Sequence, residues 1–224
     1  MTVQIRRSST RFPQREPGRL TQHSFSFGAA YDPDRLRLGP MVCHDDHLLA
    51  QGSGFPSHPH SGLEIVTWVV SGALEHSDAT GSTVLRPGSV AVLSTGAGVE
   101  HAEIAAAPQT RFIQVWLTAP DDAAAEPSYR VTPVAAAPGS GLVTAARPRP
   151  DAAFAVARLR AGESVTLPAG ALQHVFVATG ALGRSSLAEP LAAGDAFVFT
   201  DEPEHTLTAT VPAELLVWSF DAQA

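Results

Sequence analysis

The chain contains no lysine and no asparagine, and all 15 of its basic residues are arginine. Without lysine, no chemistry can run through a protein Schiff base. A single cysteine, Cys43, excludes an intramolecular disulfide and fits a reducing, cytoplasmic setting. No apolar run nears the roughly 18 residues that a membrane helix requires, so no membrane partner is expected. No segment holds a 3.6-residue apolar period over twelve positions, which leaves at most a short helix around 120–126. Positive charge is scarce too: the formal net charge is −7, which argues against binding nucleic acid. The exception is the N-terminal segment, where Arg6, Arg7, Arg11, Arg15 and Arg19 face only Glu16. It reads as a solvated arm, and it lacks the apolar core of a secretory signal.

What is present points to β structure. Eighteen glycines and 18 prolines are spread between short apolar runs, the pattern of many strands joined by turns. Expected strands include Phe25 to Tyr31, Leu36 to Val42 with a break at Gly39-Pro40, Glu64 to Val70, and Arg111 to Leu117. Asp78-Ala79-Thr80-Gly81 marks a hairpin between Leu74–Ser77 and Thr83–Arg86. His44-Asp45-Asp46-His47 reads as a polar turn, and His76 as an exposed hairpin residue. The second half repeats the grammar in Ala155 to Leu159, Val165 to Leu167, His174 to Ala178, Ala196 to Phe199 and Leu215 to Phe220.

The two halves look like tandem copies of one small barrel. Gly72-Ala73-Leu74 matches Gly180-Ala181-Leu182 at an offset of 108, and Glu100-His101 resembles Glu204-His205. The expected domains are residues 1–135 and 141–224. The same offset carries His58, His60 and Glu64 onto Thr166, Pro168 and Leu172, none of which suits a divalent metal. One metal site is therefore expected, in the first domain, with His174 and His205 as ordinary structural histidines.

Two short stretches carry the chemistry. His58 and His60 lie two residues apart after Gly54-Phe55, and His101 and Glu103 lie two apart after Gly96-Ala97-Gly98. On a strand, residues i and i+2 share a face, so the four side chains can converge from two strands on one point. Glu64 shares parity with the first pair and is a competing ligand or an orienting partner for a ligand imidazole.

Gly52-(x5)-His58-x-His60-(x3)-Glu64, followed by Gly98-x-x-His101, resembles the two cupin motifs. More narrowly, the chain resembles the pirin family. The resemblance rests on His23-Ser24-Phe25-Ser26-Phe27, Asp45-Asp46, His58-Pro59-His60, Glu64-Ile65-Val66-Thr67-Trp68-Val69, Gly72-Ala73-Leu74-Glu75-His76-Ser77-Asp78, His101-x-Glu103 and Gln114-x-Trp116, in that order. Ser61-Gly62-Leu63 departs from it, standing where pirins commonly have Arg-Asp-Met. The resemblance implies an all-β bicupin of two tandem double-stranded β-helix barrels. It also implies one mononuclear divalent metal, most often Fe(II), on His58, His60, His101 and Glu103. Imidazole and carboxylate also suit nickel, copper, manganese or zinc. Glu103 could further act as a catalytic base, and Phe55 could stack on an aromatic or enediol substrate. The implied activity is that of a quercetin 2,3-dioxygenase. The alternatives are an iron- and redox-responsive regulator that binds a protein partner, and a metal-holding structural protein. A monomer is expected.

Overall fold

The computed structural model describes residues 1–120 and 126–221. The expected short helix around 120–126 falls largely outside them. Among the described residues, helical structure is limited to two 3-10 turns, Ser8–Thr10 and Pro33–Arg35, and no helix is long and apolar enough to cross a membrane.

The chain forms two compact units, Arg11–Pro133 and Met1–Thr10 with Val134–Ala224. The division falls between Pro133 and Val134, and the first ten residues go with the second unit. Strand β1 (Thr2–Arg6) explains the second point, because it completes the edge of the sheet built by the second half. Its Val3 and Ile5 pack on that half's core, and Arg7 and the Ser8 backbone NH bond the Asp195 carboxylate at 2.8 and 2.7 Å.

The first unit contains β2 (Phe12–Glu16), β3 (Arg19–His23), β4 (Met41–Leu49), β5 (Gly54–His60), β6 (Leu63–Ser71) and β7 (Leu74–Asp78). It continues with β8 (Gly81–Leu85), β9 (Ser89–Ser94), β10 (Val99–Ala105), β11 (Thr110–Thr118) and β12 (Ser128–Pro133). These make a four-stranded sheet, β5-β10-β7-β8, and a seven-stranded sheet, β12-β9-β6-β11-β4-β3-β2. Leu74, Leu85 and Ala105 of the first sheet pack against Leu49, Val69, Ala91 and Phe112 of the second. Burying each large apolar side chain contributes about 1.5–3 kcal/mol. This cluster is the apolar core between the two sheets, with Phe55, Tyr129 and Val131 packed against it.

Three expected elements fold otherwise, and one is Leu36 to Val42, where only Met41 and Val42 lie in a strand and Leu38 makes an isolated bridge to Met41. Phe25 to Tyr31 is a loop with a Phe27–Ala30 bridge, and the Ser26 NH bonds the Arg35 carbonyl at 2.7 Å. The alternation that suggested a strand serves it differently: Phe25 is buried, Phe27 is 44% exposed, and the Ser26 hydroxyl bonds both the carbonyl and the NH of Asp32. The supposed turn His44-Asp45-Asp46-His47 is the buried middle of β4. Burial is tolerated because most of these groups find partners. Asp46 receives Arg111 at 2.8 and 2.9 Å and Arg11 at 3.2 Å, Asp45 meets His23, and His47 meets Thr21.

In the second unit, β13 (Val143–Arg149), β14 (Ala152–Leu159), β15 (Ser164–Leu167), β16 (Gly170–Leu182), β17 (Leu191–Ala192), β18 (Ala196–Glu202) and β19 (His205–Phe220) follow. With β1 they form one sheet system, ordered β1-β18-β16-β19-β14-β13, with β15 on β19 and β17 on β16. The repeat is legible in the backbone. Gly72 and Gly180 adopt φ of 77° and 78°, and a Cβ on either would lie within 2.5 Å of a neighbouring atom. Both units are thus cupin-like β folds built on one local plan.

Candidate metal centre

Strands β5 and β10 pair antiparallel with His58 directly opposite His101. Along β10, burial alternates so that His101, Glu103 and Ala105 point inward. The register slips between His101 and Glu103, so that β5 holds one residue more than β10 across this step. This bulge lets Phe55 and His58, three apart, both face the interior. It also bends the strand so that the Pro56 carbonyl accepts from His58 Nδ1 at 2.7 Å. That bond leaves His58 Nε2 as the nitrogen with a free lone pair.

One ligand atom from each of His58, His60 and His101 lies within 4.8 Å of the others. Their ring centroids are 4.5 to 5.2 Å apart. Glu103 falls in a second group of the same kind, with His101 and His76. His101 belongs to both. Three of the four expected side chains thus come together, and Glu103 is linked to them through His101. The second group contains a histidine that the sequence reading set aside.

His76 is not exposed. It is 3% accessible, its ring stacks on Tyr129 at 3.7 Å and 5°, and its Nδ1 lies 3.3 Å from His101 Nδ1. It stands opposite Glu103 across the β7–β10 ladder. The available signal was strand parity: Leu74 and His76 share a face of β7, and Leu74 is core. Glu64 goes the other way. Gly62 turns the chain at φ 65°, β6 enters the opposite sheet, and Glu64 accepts from the Ser94 hydroxyl at 2.6 Å. It joins no metal-competent group among the described residues.

Glu103 is 4% accessible, and Gln114 Nε2 donates to both of its oxygens at 2.8 and 2.9 Å. Burial pushes its pKa up to about 7, against the opposing pull of that hydrogen bond. Trp116 Nε1 donates to Gln114 Oε1 at 2.9 Å and fixes the amide in turn. Burial drives the imidazoles the other way: His60 falls to about 4, and His101, with help from neighbouring histidines, to about 3. His60 and His101 are thus held neutral, the form that binds a metal.

Whether an ion suits these side chains can be judged from one atom. His101 Nε2 is buried and has no hydrogen-bond partner among the described residues. Such an orphan costs about 1–3 kcal/mol, and a cation in reach of three imidazoles would satisfy it. The donor set fits a divalent transition metal.

A cavity of about 230 Å³ adjoins the cluster, with His58, Glu103 and Gln114 in its wall. Phe27, Phe55 and Trp116 supply its aromatic surfaces, and Arg19, His23, Asp45 and His47 its polar end. There His23 bridges Asp45 at 2.8 Å and Gln14 at 3.0 Å, and the Arg19 guanidinium lies 4.2 Å over the Phe55 ring. In the second unit the corresponding ladder sets Leu167, not a histidine, opposite His205. His205 bonds Glu202 at 3.0 Å and stacks on Phe199.

Comparison with known proteins bears on the family and the fold. A family model described as Pirin matches residues 4–117, just over half of the chain. A Mycobacterium tuberculosis protein named "Putative quercetin 2,3-dioxygenase" is 39% identical over 237 residues, spanning 99% of this chain and 96% of that protein. A "Pirin-like protein" of Caulobacter vibrioides is 35% identical over 88% of this chain and 90% of its own. Among solved structures, the bacterial pirin YhhW of Escherichia coli in complex with nickel(II) superposes with a TM-score of 0.87. It covers 98% of this chain and 99% of its own at 22% identity, a likeness of fold. The motif order, the two-unit β fold and matches of this extent lead to one conclusion, that the chain belongs to the pirin family.

Proposed function

We propose that this pirin is a metal-dependent dioxygenase acting on flavonol or enediol substrates. One divalent ion, foremost Fe(II), is held by His58, His60, His101 and Glu103. The observation that carries the reading is the orphaned His101 Nε2, grouped with His58 and His60 beside an aromatic-walled cavity. The name of the 39% identical relative supports the substrate class. When bound, the ion supplies Lewis acidity and an electron path to dioxygen.

The chain's own residues do the rest. Phe27, Phe55 and Trp116 offer ring faces that exclude water and set the plane of a bound aromatic substrate. Glu103, in the wall of the cavity, is placed to accept a phenolic or enolic proton. Gln114 holds both carboxylate oxygens and thereby fixes where that proton arrives. A cavity beside the cluster favours a small-molecule reaction over a role read only at the surface.

The test is direct. The protein is stripped and reloaded with Fe(II), nickel, copper or manganese, then mixed with quercetin without oxygen and afterwards exposed to air. We expect anaerobic spectral change on binding, then oxygen uptake with loss of the flavonol band. Absence of both with every metal removes the flavonol assignment.

A further inference from the structure

We propose that Asp78 and His76 form a positioning relay that sets the tautomer of His101 and so presents its Nε2 to the metal. The relay is read from hydrogen bonds within one sheet. Asp78 Oδ1 accepts both the NH and the hydroxyl of Thr80, at 2.7 and 2.6 Å, the pattern of an ionised, acceptor-only carboxylate. Its Oδ2 lies 3.3 Å from His76 Nε2, so that nitrogen carries the proton. A neutral imidazole has one N–H and one bare nitrogen, so His76 Nδ1 is bare. It faces His101 Nδ1 at 3.3 Å, and His101 Nδ1 must therefore donate. The bare nitrogen of His101 is then Nε2, the buried atom without a partner. The opposite assignment would place a proton on that same atom, where no acceptor among the described residues meets it.

The surroundings hold the relay rigid. Tyr129 covers the His76 ring face at 3.7 Å. The β10–β7 ladder sets His101 opposite Asp78 and Glu103 opposite His76. His58 reaches the same state by its bond to the Pro56 carbonyl. Two of the three histidines thus have Nδ1 occupied by the protein and Nε2 left for an ion. His76 is a positioning residue here, not a ligand.

The inference rests on the reading that the cluster holds a metal, and two measurements separate the two. Ni(II) titration of metal-free protein against a competing chelator tests the metal itself. His76→Phe keeps the ring on Tyr129 but removes the acceptor, and we expect Ni(II) affinity to fall about 10–100-fold with a stoichiometry of one retained. Asp78→Asn should weaken binding in the same direction. His76→Asn, whose side-chain oxygen sits near the Nδ1 position, should restore most of the affinity. Unchanged affinity in His76→Phe overturns the relay, and so does complete loss of the ion at saturating Ni(II), the mark of a direct ligand. Long-range proton–nitrogen NMR of metal-free protein tests the tautomer independently of any metal. Protonated Nδ1 and bare Nε2 on His101 support the relay, and the reverse tautomer overturns it. Thermal melting of each metal-free variant identifies loss of fold. If the wild type takes up no Ni(II), it is the metal reading that falls, while the NMR result still decides the tautomer.

Discussion

Both carboxylate oxygens of Glu103 are held by one nitrogen, Gln114 Nε2, at 2.8 and 2.9 Å. That donor opposes the burial that lifts Glu103 toward neutrality. Gln114→Leu should therefore raise the Glu103 pKa further. Glu103 would then stay protonated to higher pH, and the pH midpoint of metal uptake should move up. Loss of a hydrogen bond to a buried charge should also lower stability by about 1–3 kcal/mol. Metal titrations across pH 6 to 9, with denaturant melts beside them, check both effects.

Removing the ion should destabilise the first unit. Binding adds about 2.7 kcal/mol when free ligand exceeds its Kd a hundredfold. Chelation should then lower Tm by about 5–10 °C. His101→Ala should abolish both the metal content and this shift. His205→Ala should leave both unchanged, because His205 bonds Glu202 and faces Leu167 rather than a second histidine. Elemental analysis with calorimetry reads the contrast.

Acid should unfold the metal-free protein earlier than carboxylate titration alone implies. Burial lowers both His44 and His47 to about 4, from an ordinary value near 6.5. Above pH 6.5 both are neutral whether folded or unfolded, and they add no pH dependence. Between 6.5 and 4 the unfolded chain binds their protons and the folded chain does not, so stability falls as pH falls. The combined loss is on the order of several kcal/mol by pH 4. Urea midpoints at pH 7, 5.5 and 4.5 should decline steadily. His47→Gln, which keeps a polar group beside Thr21, should flatten the slope.

Asp46 anchors β4 to its neighbours. Burial alone would raise its pKa, but Arg111 and Arg11 overcome that and hold it below the ordinary carboxylate value. Asp46→Ala would remove the carboxylate that both guanidiniums meet and should cost about 3 kcal/mol. The loss should appear in the urea midpoint at constant m-value.

Much of the site was written in the local pattern. His58 with His60 and His101 with Glu103 each sit at the two-residue spacing that puts a pair on one strand face, and that spacing follows from backbone pleating alone. Other features depended on which strands become neighbours. His76 reads as an exposed hairpin residue because the β7–β10 ladder that sets it opposite Glu103 and the Tyr129 ring that stacks on it come from distant segments. Glu64 shared the right parity, yet the turn at Gly62 sends it into the other sheet, where parity with His58 has no meaning.

The same division runs through the whole chain. Turn residues, alternating apolar runs and the matched glycines at 72 and 180 determined an all-β chain of two similar units, since each acts through the conformation of a few adjacent residues. The buried stretch His44-Asp45-Asp46-His47 was decided only in three dimensions. Its polarity is compatible with a central strand only when Arg11, Arg111, His23 and Thr21 arrive from elsewhere in the sequence to meet it. The placing of Met1–Thr10 with the second unit was settled in the same way, by hydrogen bonds to a strand nearly two hundred residues away along the chain. Pairing across such distances depends on which surfaces fold together, a property that no short window of sequence contains.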